Sequence, residues 1–358
     1  MKIAAMGTAV PEHSIEQTDS LEIMRARTQV TRQAHRLSDA IYKHSGVATR
    51  HSVILECSEG DHDDRQSFFR NDDPGTLDRM QMYEQESVPL ALRACTNAFE
   101  ASGFDASKIT QVVTVSCTGF FSPSLDLALI GQLGIPLTAG RTHIGFMGCH
   151  GLFNGLRVAR AFTDADPEAV VLVCAVELCS LHHQYEWTTD KMVANALFAD
   201  GAAAVVGVSD HREIDAPAPL KLVANGSTIF AGSEFAMSWK IGDHGFEMTL
   251  SPETPRLIVE NLRPWLERWL ADQGLTIDQV GSWAVHPGGP RILQAFAEAM
   301  GLPIEALDAS FHVLNRYGNM SSPTVAFVID HLRRTGAPWP CVAIGFGPGL
   351  TTEAALLR

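Results

Sequence analysis

Gly145-Phe-Met-Gly-Cys-His-Gly-Leu-Phe-Asn-Gly-Leu-Arg-Val-Ala-Arg-Ala-Phe162 decides how the rest of the chain is read. The largely apolar run over 142–147 enters it like a buried strand. Gly148 and Gly151 flank Cys149, as a tight turn with a crowded backbone or a positive φ demands. Leu152, Leu156, Ala159 and Phe162 then recur every three or four residues, which predicts a helix buried on at least one side. Cys149 is thereby placed at the first turn of a helix, where free backbone N–H groups and the dipole favour a thiolate. A small core residue is the usual fate of a free cysteine. The setting between glycines at a helix start favours a nucleophile instead.

Length and composition narrow the rest. A chain of 358 residues can hold two core-forming units or one large duplicated domain. With 46% hydrophobic and 19% charged residues it is a compact globular sequence. A net charge of −14 leaves no nucleic-acid surface, so an anionic ligand must be met by a local basic patch. The seven cysteines are irregularly spaced and include no CxxC pair, which argues for a reducing compartment and against disulfides or structural zinc. The N-terminal Met1-Lys-Ile-Ala-Ala-Met-Gly-Thr-Ala-Val-Pro11 reads as a strand, not a signal peptide. The longest apolar run, 169–176, is too short to span a bilayer. A cytoplasmic protein without membrane, metal or nucleic-acid partners is expected. Glu59-Gly-Asp-His-Asp-Asp64 reads as a solvated excursion, and His182-His183, on an extended segment, would face opposite ways and not share a metal.

Helices are expected within 19–46 and over 87–102, 125–133, 255–270 and 290–300, with another after 317–323. Strands are expected over 111–116, 170–176, 202–208 and 220–226, into His286, and on either side of 345–349. The stretch between 226 and 255 reads as a loop rich in glycine and aromatics. The proline-containing segment 210–219 marks a boundary, dividing the chain into 1–215 and 216–358. A weak internal repeat links the halves: Gly145-Phe-Met-Gly-Cys149 resembles Gly318-Asn-Met-Ser-Ser322, and Phe198-Ala-Asp-Gly-Ala202 resembles Phe346-Gly-Pro-Gly-Leu350. Duplication of this kind would bring the two turns together at the centre.

Three Gly- or Pro-marked turns carry groups able to do chemistry: Cys149, His286 in Val285-His-Pro-Gly-Gly-Pro290, and Asn319 in Tyr317-Gly-Asn-Met320. An imidazole beside a thiol can take its proton. An imidazole N–H and an amide N–H converging on one oxygen would stabilise an enolate. Read locally, His286 could equally be a satisfied core histidine and Asn319 an ordinary turn residue.

The set Gly148-Cys149, His286-Pro-Gly-Gly-Pro290, Gly318-Asn319 and Gly345-Phe-Gly-Pro-Gly349 resembles the type III polyketide synthases, the chalcone-synthase-like family. Ser116-Cys-Thr-Gly-Phe-Phe-Ser-Pro-Ser-Leu-Asp126, Val176-Glu-Leu-Cys-Ser180 and Ala196-Leu-Phe-Ala-Asp-Gly-Ala-Ala-Ala204 resemble its bacterial members, and together the matches span nearly the whole chain.

The resemblance implies a homodimeric α/β protein of thiolase fold, five-layered αβαβα, with two pseudo-duplicated halves. It implies that Cys149 accepts an acyl group from an acyl-CoA, that His286 deprotonates it, and that His286 and Asn319 hold malonyl-CoA during decarboxylation. Extension by Claisen condensation then ends in a pyrone or a polyhydroxylated aromatic, with CoA thioesters as substrates and no metal or redox cofactor. It places Phe198 and Met248 at the cavity mouth, Cys117, His182, Ala194 and Trp239 on its walls, and Gly345, Phe346, Gly347, Pro348 and Gly349 in a loop at its floor. Ser122 falls where the family reaches into the partner's cavity. Cys117 is a second candidate thiol. For the CoA arm, Lys43, Arg50 and Arg291 are candidate phosphate cations beside Gly288 and Gly289. A CoA-primed 3-ketoacyl-carrier-protein synthase shares the Cys–His–Asn set and is the nearer rival. A papain-like hydrolase has the same chain order, and a non-catalytic acyl-CoA-binding scaffold is the alternative of another class.

Overall fold

The structure is a computed structural model that describes residues 1–358 except 27–31, 62–63, 70–72, 187 and 215–219, and except the side chains of 26 and 32–34. In the first half the order is β1 (Lys2–Ala9), β2 (Ser14–Glu16), α1 (Gln17–Ala26), α2 (Arg32–Lys43), β3 (Thr49–His51), α3 (Thr76–Ser102) and β4 (Gln111–Ser116). It continues with α4 (Leu125–Leu133), β5 (Gly140–Gly145), α5 (Gly151–Ala165), β6 (Val170–Leu178), α6 (Thr189–Leu197) and β7 (Asp200–Val208). The second half begins with β8 (Leu222–Ile229), β9 (Met237–Gly242), β10 (Gly245–Leu250), α7 (Thr254–Asp272) and β11 (Ser282–Val285). It ends with α8 (Pro290–Met300), α9 (Asp308–Tyr317), α10 (Thr324–Arg334), β12 (Cys341–Gly347) and β13 (Thr351–Leu357).

Strand periodicity builds the layers. In β6, Val171, Val173 and Ala175 face one apolar core while Val170, Leu172, Cys174 and Val176 face another, as alternation across a pleat requires. β12 does the same, with Cys341 and Ala343 on one side and Val342 and Ile344 on the other. Residues of α5 and α10 fill the core shared by the two sheets, α3 and α4 cover the outside of one sheet, and α7 and α8 cover the outside of the other. The result is five layers, αβαβα. Each fully buried Val or Leu in these cores contributes roughly 1.5–3 kcal/mol against exposure.

The sheets are ordered β1-β7-β6-β4-β5 and β11-β12-β13-β8. Reversed, the second reads β8-β13-β12-β11 and matches β1-β7-β6-β4 strand for strand. In both, the third and fourth strands pair parallel and the first three pair antiparallel, and the extra strand β5 pairs parallel to β4. The internal repeat is this duplication: the two similar turns precede α5 and α10, which lie together in the central layer.

Two expectations over 87–102 and 226–255 are corrected. α3 starts at Thr76, and in its largely exposed first turns the buried side chain is the polar Arg79, which donates from Nε to the Pro74 carbonyl at 2.8 Å and from Nη1 to those of Leu181 and His183 at 2.9 Å. The aromatic and glycine-rich loop contains the hairpin β9–β10, joined through Asp243-His244 with Gly242 paired to Gly245. His182 lies in a 3-10 turn, Cys179–His182, and not on an extended segment. The expected division at 215/216 falls outside the described residues, as do positions 62–63 of the acidic excursion. Among the described residues no helix is long and apolar enough to cross a membrane, and no cluster of His, Cys, Asp or Glu could hold a metal ion.

Candidate active site

Cys149 follows β5 in a 3-10 turn, Gly148–His150, that runs into α5. Gly148 has φ 76°, and a Cβ there would lie 2.5 Å from Pro348 Cδ, so glycine lets Pro348 close against the turn. Cys149 is partly exposed as a residue, and its thiol, itself buried, hydrogen-bonds to Ser321 and Asn319. Burial nevertheless pushes it up to about 11; the Ser321 bond lowers it, the Glu177 charge raises it and the Asn319 bond lowers it. The helix start therefore does not by itself make a thiolate here, because burial outweighs it.

Asn319 is carried across from the other half. Its N–H donates to the Leu197 carbonyl at 2.8 Å and its carbonyl accepts from Ala199 N–H at 2.9 Å, forming a bridge beside Phe198. Gly318, with φ 70°, permits this: a Cβ would sit 2.9 Å from the Leu197 carbonyl oxygen. Ser321 N–H donates to Asn319 Oδ1 at 2.9 Å, which turns the amide NH2 towards Cys149.

His286 leaves β11 with its N–H on the Ile344 carbonyl at 2.8 Å. The side chain is 1% exposed, and neither ring nitrogen has a hydrogen-bond partner among the described residues. Burial first, and then the neighbouring His150, lower it to about 3, so the imidazole is neutral and able to accept a proton. His150, whose charge acts on His286, is next to Cys149 in the chain.

Of these groups Cys149 lines a cavity, and His286 and Asn319 are not among the lining residues of that cavity or of two others. The first, of ≈ 30 Å³, is lined by Cys149, Cys117, Phe198, Trp239, Met248 and Pro348. A second of ≈ 100 Å³ reaches His182 and Ala194 and shares Cys179, Phe198, Trp239 and Met248 with the first. A third of ≈ 660 Å³ is lined by Gly288, Gly289 and Arg291 opposite His44 and Val193. Arg291 is exposed in the first turn of α8, and Lys43 is exposed at the end of α2, beside His44.

Several expected wall residues are held by the protein itself. His182 Nε2 lies 2.6 Å from the Thr118 carbonyl and Phe246 N–H donates to Nδ1 at 2.9 Å, which fixes the tautomer; burial lowers it to about 3. Trp239 Nε1 donates to the Cys117 carbonyl at 2.7 Å. Arg50 is not a phosphate cation: it is buried, and its guanidinium donates to the Phe198 carbonyl at 3.0 Å, the Asn195 carbonyl and Ser20. Gly345, Phe346 and Gly347 are not loop residues but the end of β12, paired to Glu353, Thr352 and Thr351, and Phe346 packs in a core. Of that stretch, Pro348 lines the Cys149 cavity, and Gly349, with φ 82°, turns the chain back into β13. Ser122 is exposed.

Sequence reasoning missed Ser321 and Glu177. Ser321 Oγ lies 3.4 Å from Cys117 Sγ and also bonds Cys149. Glu177 is fully buried and accepts from Cys117 N–H at 2.9 Å, Thr118 Oγ1 at 2.7 Å and Ser322 Oγ at 2.5 Å, tying the end of β4 to the turn that carries Asn319. The available signal was an acid inside the apolar run 170–178, which burial demands be paired.

The descriptions "Chalcone and stilbene synthases, N-terminal domain" and "Chalcone and stilbene synthases, C-terminal domain" match residues 1–211 and 221–358. The chain is 32% identical to 1,3,6,8-tetrahydroxynaphthalene synthase of Streptomyces peucetius subsp. caesius, over 99% of this chain and 92% of that one. It is 28% identical to the alpha-pyrone synthesis polyketide synthase-like Pks18 of Mycobacterium tuberculosis, over 99% and 90%. The crystal structure of PKS-I from the brown alga Ectocarpus siliculosus superposes with a TM-score of 0.92 at 30% identity, covering 99% and 97%. These matches define a type III polyketide synthase, a condensing acyltransferase of thiolase fold. The chain belongs to the chalcone and stilbene synthase family.

Proposed function

We propose that the chain loads an acyl group from an acyl-CoA onto Cys149 and extends it with malonyl-CoA by decarboxylative Claisen condensation. Neutral His286 takes the Cys149 proton, the thiolate attacks the acyl-CoA carbonyl, and CoA leaves as the thiol with the proton returned from His286. Malonyl-CoA then enters, its thioester oxygen facing the N–H groups of His286 and Asn319. Loss of carbon dioxide leaves an enolate on that oxygen, stabilised where charge develops. Its carbon attacks the acyl–Cys149 carbonyl, the sulfur departs as thiolate, and the chain is two carbons longer on CoA. The observation that carries the reading is the Ser321 N–H on Asn319 Oδ1, which leaves only the amide donors to face Cys149.

The ≈ 660 Å³ cleft beside Arg291 and Lys43 suits the CoA arm. The cavity at Cys149 widens past Phe198, Trp239 and Met248, and a pyrone or polyhydroxylated aromatic product, in keeping with the relatives' names, fits a short, folded chain. A homodimer is supported by the half-exposed edge strand β5 and by Phe120, Phe146 and Met147, 54%, 41% and 43% exposed near it. CoA thioesters alone serve the scheme, and the cysteine usage fits the cytoplasm. Purified protein given an acyl-CoA and malonyl-CoA should release cyclised polyketide. Turnover that appears only with malonyl-carrier protein would assign it instead to carrier-protein-dependent synthases.

A further inference from the structure

Directly after Cys149 lies a second buried histidine that the scheme above does not use. His150 is 4% exposed. Its Nδ1 is 3.0 Å from Asn154 Oδ1, and its Nε2 is 2.5 Å from Thr351 Oγ1. Thr351 Oγ1 is in turn 3.1 Å from the carbonyl oxygen of Pro348. Pro348 lines the Cys149 cavity and closes against Gly148. The contacts thus run from the residue beside the nucleophile, through one ring and one hydroxyl, to Pro348 in the wall of the Cys149 cavity. β12 is shaped to seat the ring: a Cβ on Gly347 would lie 2.5 Å from His150 Nε2, and one on Gly345 would lie 3.4 Å from His150 Cβ.

We propose that His150 is a positioning residue that sets, through Thr351, the Pro348 wall of the Cys149 cavity and with it the number of extensions a chain receives before release. The inference rests on the polyketide reading of Cys149.

The link is directional because of how the protons are shared. Asn154 Nδ2 faces Glu353 Oε1 at 3.4 Å, so Asn154 Oδ1 faces His150 and Nδ1 carries a hydrogen. Thr351 has one hydroxyl proton and two acceptors in reach, His150 Nε2 and the Pro348 carbonyl. A neutral ring takes that proton. A protonated ring donates to Thr351 instead, and the hydroxyl proton turns to Pro348. The charged groups around the ring are Glu353 on β13, paired with Arg157 on α5, and His286 beyond β11. Glu353 favours the protonated ring, whereas Arg157 and a protonated His286 oppose it. Burial, the largest influence, keeps the ring neutral at neutral pH and moves its titration below the ordinary histidine value of about 6.5.

The test uses the full chain with one acyl-CoA starter and malonyl-CoA, with products separated by chain length at neutral pH. Thr351→Val keeps the shape and removes the hydroxyl; Thr351→Ser keeps the hydroxyl. Thr351→Val is expected to change the ratio of longer to shorter products about fivefold, the effect of losing one net hydrogen bond. Acyl loading of Cys149 is expected to stay at the parent rate. Thr351→Ser should retain the parent's ratio. If Thr351→Val fails to fold, His150→Gln takes its place and should shift the ratio in the same direction. A parent-like ratio in the folded variant overturns the link alone. A parent that makes no product overturns the polyketide reading and the link with it.

Discussion

Replacing His286 with Ala removes the base proposed for Cys149 and leaves the thiol to its surroundings. Those surroundings push it up to about 11, chiefly by burial. At pH 7 a thiol four units below its pKa is ionised to the order of 1 part in 10,000, against about 3% for an ordinary thiol near 8.5. That value holds with His286 in place, so what the imidazole adds in the parent is general-base removal of the proton as sulfur attacks, typically worth about 10²–10⁴. The assay is alkylation of Cys149 by iodoacetamide between about pH 6 and about pH 10, followed by mass spectrometry of its peptide. A Cys149→Ser control separates it from the other thiols. His286→Ala should react at least about 100-fold more slowly than the parent at neutral pH, its rate climbing about tenfold per pH unit. A variant that alkylates at the parent's rate, with the parent's pH profile, would refute the assignment of His286 as the base.

Asn319→Ala should lower malonyl-CoA decarboxylation by about 10²–10³, the cost of one oxyanion donor, while acyl loading changes far less; equal losses in both assays would count against its role. Gly148→Ala should destabilise the fold by roughly 1–3 kcal/mol in urea unfolding, from the left-handed backbone and the contact with Pro348, and a neutral result would show that the turn relaxes freely. His182 is neutral in the folded state down to about 3, whereas the unfolded chain binds that proton near 6.5. Its contribution is therefore complete above about pH 6.5 and is lost as pH falls towards about 3, at about 1.4 kcal/mol per pH unit at most. His182→Gln should flatten the fall in stability between neutral pH and about pH 5; an unchanged slope would place the acid sensitivity elsewhere.

The legible parts of the fold are those in which burial and apolar character coincide. β4, α4 and α8 lie where periodicity predicts them because their buried faces are made of Val, Leu, Ile and Ala. Where buried groups are polar the pattern fails. The start of α3 is invisible because Arg79, its guanidinium spent on three carbonyls, sits where an apolar residue would be expected. Arg50 misleads for the same reason in reverse: a cation beside a glycine turn suggests a phosphate, but this one caps the Asn195 and Phe198 carbonyls. At the site, glycines and prolines expose the turns of Cys149, His286 and Asn319. Ser321 and Glu177 act through contacts between segments far apart in the chain; Glu177 leaves a local mark, an acid inside an apolar run, and Ser321 leaves none.

The most direct test of the account follows Cys149 itself through one turnover. Mass spectrometry of the Cys149 peptide after mixing with an acyl-CoA, then with malonyl-CoA, should show the acyl adduct form and then disappear as carbon dioxide and an extended product are released. Carbon dioxide and product formed with no acyl group ever found on Cys149, or undiminished in a Cys149→Ala variant, would contradict it.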